Sequence, residues 1–193
     1  ADGIRRAISL LAGPSFFLAC MLAFAQFFTR AGTSHSLVLI YANNELGLSA
    51  GQLGALFSVV AVLHSLLVYT AGIIADRYGR KLVITPANLL RAVSAACFPF
   101  SDNTVQFVMV FIALHAAVGG GGQAPVAYLG DIAPADARGM SFGLYRTFGD
   151  LAGIIAPLAL TTLVTTSGFI VAFGINALLV LGITLSLIHI SEP

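Results

Sequence analysis

Four charged side chains lie inside apolar stretches that are long enough to cross a bilayer, and each could bind an ion or pair with a partner. These residues are Arg30, Arg91, Arg146 and Asp150. A charge at the bilayer centre costs about 3 kcal/mol on insertion scales, so it usually faces a polar cavity or a partner. An arginine there can bind an anionic group, whereas a carboxylate can bind a cation or exchange a proton.

Arg146 and Asp150 are four residues apart, which places them on one helix face within pairing distance. Gly143, Gly153 and Pro157 continue the same stripe. Two interpretations stay open. In the first, the two charges neutralise each other and hold their helix against a neighbour. In the second, Asp150 borders a central cavity and exchanges a proton or binds a cation.

Arg30 has no acidic residue within its own predicted helix, where Gln26, Arg30 and Thr33 share a face. It could therefore line a cavity that holds an anionic group, pair with another helix, or extend toward the outer membrane surface. A cavity role and a structural role both stay open. Arg91 is expected to be structural.

Four histidines are the other titratable residues of interest. His64 and His115 lie within apolar stretches and could carry a proton near neutral pH, although packing through a hydrogen bond is the commoner role. No two histidines, His35 and His189 included, have the i, i+4 spacing of a metal site. The sequence therefore predicts neither a metal nor a cofactor.

Composition places these residues in a lipid bilayer. The chain is 58% hydrophobic and 9% charged, whereas soluble domains are about 25% charged. Its net charge of +1 gives no indication of a nucleic-acid partner. Cys20 and Cys97 lie in apolar stretches and are interpreted as small apolar residues.

Apolar stretches of about 20 residues predict an all-α, polytopic membrane protein with six transmembrane helices. The predicted spans are residues 15–41, 51–75, 82–100, 104–129, 139–165 and 168–187. Six basic residues lie at the N-terminus and in the second and fourth loops, and the other three loops have none. They are Arg5, Arg6, Arg77, Arg80, Lys81 and Arg138. This asymmetry predicts that the N-terminus is cytoplasmic.

The second loop carries the most specific motif in the chain. Its pattern is G-x-x-x-D-R-x-G-R-K, formed by Gly72, Asp76, Arg77, Gly79, Arg80 and Lys81. This pattern resembles the loop between helices 2 and 3 of the Major Facilitator Superfamily. The resemblance implies a secondary transporter that moves a small solute by alternating access, and not an enzyme. It also implies a cytoplasmic gate, in which Asp76 contacts a helix start in the other half and the basic residues pair with acids such as Asp131.

Six spans are half of the usual twelve in this family, so residues 1–187 are interpreted as the N-terminal six-helix half. The C-terminal half is then expected in cis, or a second copy of the chain takes its place. The second span has a stripe of small residues that would face that half: Gly54, Ser58, Ala61, Ser65 and Gly72. Residues 186–193 resemble a translated sequencing-adapter tail and are expected to be non-native.

The fourth and fifth spans are similar to those of efflux-type members. His115 occupies the position of an arginine that precedes a glycine, here Gly119, and Gly143, Gly153, Ala156 and Pro157 form a small-residue motif. The resemblance implies proton-coupled efflux across the plasma membrane. The alternatives are a transporter-like sensor or scaffold and, because residues 139–143 spell G-x-S-x-G, an intramembrane serine protease.

Overall fold

The computed structural model describes residues 2–189, and nearly all of them are helical. Seven helices organise the described chain: α1 (Asp2–Leu11), α2 (Pro14–Asn44), α3 (Ala50–Tyr78), α4 (Arg80–Cys97), α5 (Thr104–Gly121), α6 (Ala124–Ile132) and α7 (Arg138–His189). No strand occurs among residues 2–189. The predicted all-α membrane class is confirmed.

Five helices among residues 2–189 are long and apolar enough to cross a bilayer, and the sixth predicted span depends on one turn inside α7. This helix has 52 residues and would be about 78 Å long if straight, whereas a bilayer core is about 30 Å thick. Gly168 has φ 83° and ψ 172°, a conformation that a residue with a Cβ rarely adopts. The turn divides α7 into a first limb (138–167) and a second limb (169–189), which correspond to the fifth and sixth predicted spans.

Local sequence signals explain several helix ends. Ser49 and Gln52 form a reciprocal cap at the start of α3, in which Ser49 Oγ accepts from the Gln52 amide and Gln52 Oε1 accepts from the Ser49 amide. Asn103 Oδ1 caps α5 by accepting from the Gln106 amide at 3.0 Å. Gly79 alone joins α3 to α4, and its φ of 99° allows this tight connection.

Two helical features were not predicted from sequence. The first is α1, a short helix with exposed Ile4 and Ile8, whose Arg6 donates to Asp136 in the fourth loop. The second is a π-helical stretch inside α2, over Thr29–Leu37. π-Helical turns often lie at functional sites, and this stretch contains Arg30.

The apolar core consists mainly of two clusters, one toward each end of the bundle. We call the end of the bundle that carries the Gly72–Lys81 loop the motif end. The cluster at this end includes Leu22, Ile84, Leu129 and Leu187. The cluster at the opposite end is rich in aromatic rings, such as Phe98 stacked on Phe173 at 5.3 Å. Gln26, Arg91, His115 and Arg146 fall between the segments that form these clusters. These four polar side chains therefore lie near the middle of the bundle.

Residues 186–189 continue α7, and Leu187 is buried in the motif-end cluster. Residues 190–193, the rest of the predicted non-native tail, lie outside the described residues. The small-residue stripe of α3 has little cover from this chain, since a Cβ on Gly54 or Gly72 would meet nothing within 4 Å.

Candidate functional site

Arg30 lies where two cavities meet. The arginine cavity, of about 440 Å³, is lined by Arg30, Gln26, Gln123, Tyr145, Arg146 and neighbouring residues of α2, α6 and α7. The histidine cavity, of about 300 Å³, is lined by Arg30, Ser34, His35, His64, Ser65, His115 and apolar residues of α3 and α5. The Arg30 side chain is exposed, and no carboxylate of the described chain forms a salt bridge with it.

The α2 backbone positions the residues of both cavities. In the π-helical stretch, the Thr29 hydroxyl donates to Asn176 Oδ1 of the second limb of α7 at 2.9 Å, and both residues are fully buried. Gln26 Nε2 donates to the Gly122 carbonyl oxygen at 2.7 Å. That carbonyl lies at the break between α5 and α6, where the helical ladder leaves it without an intrahelical donor. These two bonds fix α2 against α7 and against the break.

The predicted pair of Arg146 and Asp150 is present. Arg146 Nε lies 2.9 and 3.1 Å from the two carboxylate oxygens of Asp150. The guanidinium also lies over the ring of Phe27, 5.1 Å from its centroid. This geometry favours the ion-pair interpretation of Asp150. Because Asp150 neutralises Arg146, Arg30 is the unneutralised charge of the arginine cavity.

Arg91 lies behind the arginine cavity and is 2% exposed. Its guanidinium borders Gly121, since a Cβ on that glycine would lie 3.8 Å from Arg91 Nη2. Nε is buried and makes no hydrogen bond to any residue of the described chain. A buried cation without a counter-ion makes the middle of the bundle electropositive.

The small-residue motif of the fifth span divides between two faces. Ala156 is buried, and a Cβ on Gly32 of α2 would come within 2.7 Å of the Ala156 Cβ. In contrast, a Cβ on Gly143 or Gly153 would meet nothing within 4 Å. Gly149, which the sequence did not single out, is the glycine that packs closely, against the ring of Phe27. Gly143 and Gly153 therefore face away from the described chain, whereas Ala156 packs against α2.

The glycine run of the fourth span permits close helix contacts. A Cβ on Gly119 would lie 3.1 Å from the Cα of His64 on α3, and one on Gly121 would lie 2.6 Å from the Cβ of Ala87 on α4. The run ends in the break at Gly122 between α5 and α6. The glycines thus let α5 approach two neighbours at once.

The motif residues form an ion-pair network at their end of the bundle. Arg80 Nη1 donates to Asp76, four residues earlier, and Arg80 Nε donates to Asp131 Oδ2 at 3.3 Å. Arg77 lies over the ring of Tyr78, 5.4 Å from its centroid. The pairing of a motif arginine with Asp131 matches the expectation from sequence, and it ties the second loop to the fourth.

We predict that Asp76→Asn changes the balance between inward-open and outward-open states about fivefold, because the network loses a charge at the proposed gate. The measurement is thiol labelling of a cysteine at Ser65, in a Cys97→Ser background because Cys97 is exposed, using the complete gene product. Asp136→Asn is the matched control, since Asp136 pairs with Arg6 at the same end but outside the motif. Equal labelling in the two variants would contradict a gating role.

We also predict that Asp150→Asn lowers the yield of folded protein about threefold, and that Arg146→Gln combined with Asp150→Asn restores most of it. The single change leaves a cation without its partner, whereas the double change removes both charges. Size-exclusion chromatography of a fluorescent fusion measures the yield. If Asp150→Asn folds normally and loses proton-driven transport, the proton-exchange interpretation holds instead.

The candidate nucleophile of the protease alternative, Ser141, has no hydrogen-bond partner in the described chain. Ser141, the serine of the G-x-S-x-G pattern, is fully buried, and its hydroxyl makes no hydrogen bond to any described residue. A nucleophilic serine needs an adjacent base.

Gln123 and Tyr145 of the arginine cavity were not predicted from the sequence. They lie far from Arg30 along the chain, so no short spacing indicates that the three residues share a cavity.

Comparison with known proteins identifies the family to which this chain is similar. The model of the Major Facilitator Superfamily matches residues 19–193. SauU of Cupriavidus necator, a probable sulfoacetate transporter, is 28% identical over 168 residues, which cover 86% of this chain and 38% of that protein. GudP of Escherichia coli strain K12, a probable galactarate/D-glucarate transporter, is 29% identical over 153 residues, covering 72% of this chain and 34% of that protein.

The fold agrees with the sequence comparison. The crystal structure of PepTSo, a POT family transporter, aligns with a TM-score of 0.71 and 20% identity, covering 89% of this chain and 36% of that one. The chain thus spans little more than a third of these proteins. Because the family match covers most of the chain and the helical fold agrees with it, this chain belongs to the Major Facilitator Superfamily of membrane transporters and is not an enzyme.

Proposed function

We propose that this chain is the N-terminal half of a secondary transporter that moves small organic anions by alternating access. The observation that carries the proposal is Arg30, which lines both cavities and has no carboxylate partner in the described chain. Such a residue must interact with a counter-charge, because a charge within a membrane is costly without one. An anionic substrate group supplies that counter-charge.

The net charge of the spans supports the same class of substrate. Three arginines and one aspartate lie within them, and the aspartate is paired with Arg146. Arg30 and the buried Arg91 are therefore two cations that attract an anion to the middle of the bundle. Sulfoacetate, galactarate and D-glucarate, which appear in the names of the two relatives, are all anions at neutral pH.

The rest of the proposal follows the family architecture. The exposed α3 stripe would pack against a C-terminal six-helix half in cis, or against a second copy, and the mass of the purified complete gene product in detergent distinguishes these. The protein would lie in the plasma membrane with its N-terminus in the cytoplasm. The Arg6–Asp136 and Arg80–Asp131 pairs support this orientation, because they gather the basic segments at one end. Protease accessibility of a tag on the N-terminus, in intact cells and in inverted vesicles, tests the orientation.

The test is transport in proteoliposomes that contain the complete gene product. Radiolabelled sulfoacetate or D-glucarate is expected to cross the membrane faster than neutral arabinose, and an imposed pH gradient is expected to accelerate it. The release of labelled acid from preloaded vesicles measures transport in the outward direction, which the sequence predicts. Equal rates for the acids and the sugar would contradict the proposal, and acid binding without transport would instead indicate a sensor.

A further inference from the structure

Three histidines from three helices line the cavity next to Arg30. His35 lies on the π-helical part of α2, His64 on α3 and His115 on α5. Phe57 connects two of them, since its ring stacks on His35 at 5.8 Å and meets the edge of His115 at 5.5 Å. The sequence spacing of these histidines gave no reason to group them, and only the packing of α2, α3 and α5 brings them together.

His115 lines the cavity and uses one of its two ring nitrogens in a hydrogen bond to its own helix. Its Nδ1 lies 2.9 Å from the Phe111 carbonyl oxygen. A carbonyl oxygen only accepts hydrogen bonds, so Nδ1 must carry a hydrogen and donate it. The other ring nitrogen, Nε2, makes no hydrogen bond to any residue in the described part of the chain. This nitrogen is the acceptor when the ring is neutral and a donor when it is protonated.

A buried hydroxyl, that of Ser34, supplies a further unused donor in the lining of this cavity. Ser34 is 2% exposed and lines the cavity, and its Oγ makes no hydrogen bond to any residue between 2 and 189. Buried polar groups nearly always have a partner. An orphaned hydroxyl next to three imidazoles and a guanidinium therefore indicates a site built to hold a polar ligand.

We infer that the histidine cavity is a second anion subsite, which binds the distal anionic group of a two-headed organic acid and becomes protonated as it does so. This inference rests on the proposed function and specifies its substrate class. Arg30 would hold one anionic group at the junction of the cavities. The second carboxylate or sulfonate would enter the histidine cavity, whose volume of about 300 Å³ is ample for it.

The electrostatics couple the anion to the proton. The charged or titratable groups that line this cavity are Arg30 and His35 from α2, His64 from α3 and His115 from α5, and the lining includes no carboxylate. Without an anion, Arg30 and neighbouring imidazoles disfavour further positive charge. A bound anion removes this penalty, so anion binding favours protonation and, by linkage, protonation tightens anion binding.

The test compares two acids of equal chain length that differ in one end group. Radiolabelled D-glucarate has two carboxylates, whereas D-gluconate has one, and both stay ionised at pH 5.5 and 7.5. Their affinities for the complete gene product are measured in detergent at both pH values. We expect the wild type to prefer D-glucarate by about tenfold at pH 5.5, since a charge-assisted hydrogen bond has about this effect, and by clearly less at pH 7.5.

In His35→Gln, His64→Gln and His115→Gln, the preference for D-glucarate is expected to fall and to lose its pH dependence. Retained D-gluconate binding shows that each variant is folded, and His35, whose side chain is exposed, is the site where replacement threatens folding least. Arg5→Gln is the control, because it also places glutamine at a basic position, and Arg5 lies exposed on α1, outside the cavity. It is expected to behave as wild type.

Two results would overturn the inference, and only the second would also overturn the proposed function. If D-glucarate and D-gluconate bind the wild type equally at both pH values, or if the histidine variants keep the wild-type preference, the second subsite is wrong and anion transport stands. If neither acid nor sulfoacetate binds the wild type, the proposed function itself is wrong.

Discussion

Arg30→Gln is expected to lower the transport of small organic anions about 100-fold, because a bound anion that loses its charge partner loses several kcal/mol of binding free energy. Arg30 lines both cavities and has no carboxylate partner in the described chain. Glutamine keeps similar length and hydrogen-bonding capacity but removes the positive charge. The measurement is the initial rate of sulfoacetate or D-glucarate uptake into proteoliposomes, normalised to the amount of protein that is folded.

Two further variants make the Arg30 result specific. Arg30→Lys keeps the charge and loses the planar fork that binds carboxylates in bidentate fashion, so it should retain part of the activity. Arg5→Gln is the matched control, since it removes an arginine from α1, outside both cavities. Anion uptake by Arg30→Gln at the wild-type rate would show that the arginine has a structural role, which is the alternative that the sequence left open.

Gly32→Val is expected to lower the free energy of unfolding by about 3 kcal/mol, at the upper end for an overpacked core position. A Cβ on Gly32 would lie 2.7 Å from both the Ala156 Cβ and Leu160 Cδ1, and 3.1 Å from the Ala156 backbone carbon. The backbone atom cannot move aside without shifting the first limb of α7. Thermal unfolding of the complete gene product in detergent measures the loss, together with the yield of monodisperse protein.

Gly182→Val provides the matched comparison for this packing prediction. Gly182 lies on the exposed side of the second limb of α7, and a Cβ there would meet nothing within 4 Å. It should therefore unfold at nearly the wild-type temperature. If the two valine variants have the same melting temperature, α2 and α7 do not pack as closely at Gly32 as the structure places them.

The sequence predicted the helices well because membrane spans are determined by a local property. Each backbone polar group in a bilayer must be satisfied within its own segment, so a long apolar run is helical whatever surrounds it. The turn signals at Gly79 and Gly168 were likewise readable. The exceptions are the π-helical stretch of α2 and the break at Gly122, where the structure has hydrogen bonds to residues far along the chain, Asn176 and Gln26 respectively.

The candidate site was predictable in part. A spacing of four residues on a helix predicted the contact between Arg146 and Asp150, which the structure contains. The grouping of His35, His64 and His115 was not predictable, because it depends on how three helices pack. Nor could periodicity show that Ala156 and Gly153, three residues apart, face different neighbours. That difference arises because α2 approaches only one side of α7.

By itself, the sequence determined the all-α membrane class, the approximate positions of the apolar helices and the excess of arginine over acidic residues within them. These properties depend on residue type and short spacing, which hold in any arrangement of the helices. Only the tertiary structure decided which of the unpaired charges line a cavity. Arg91 and Arg30 both lack a nearby acidic residue in their own helices, yet Arg91 is buried and Arg30 lies open between two cavities. The reason is that a charge's role is determined by the helices packed around it.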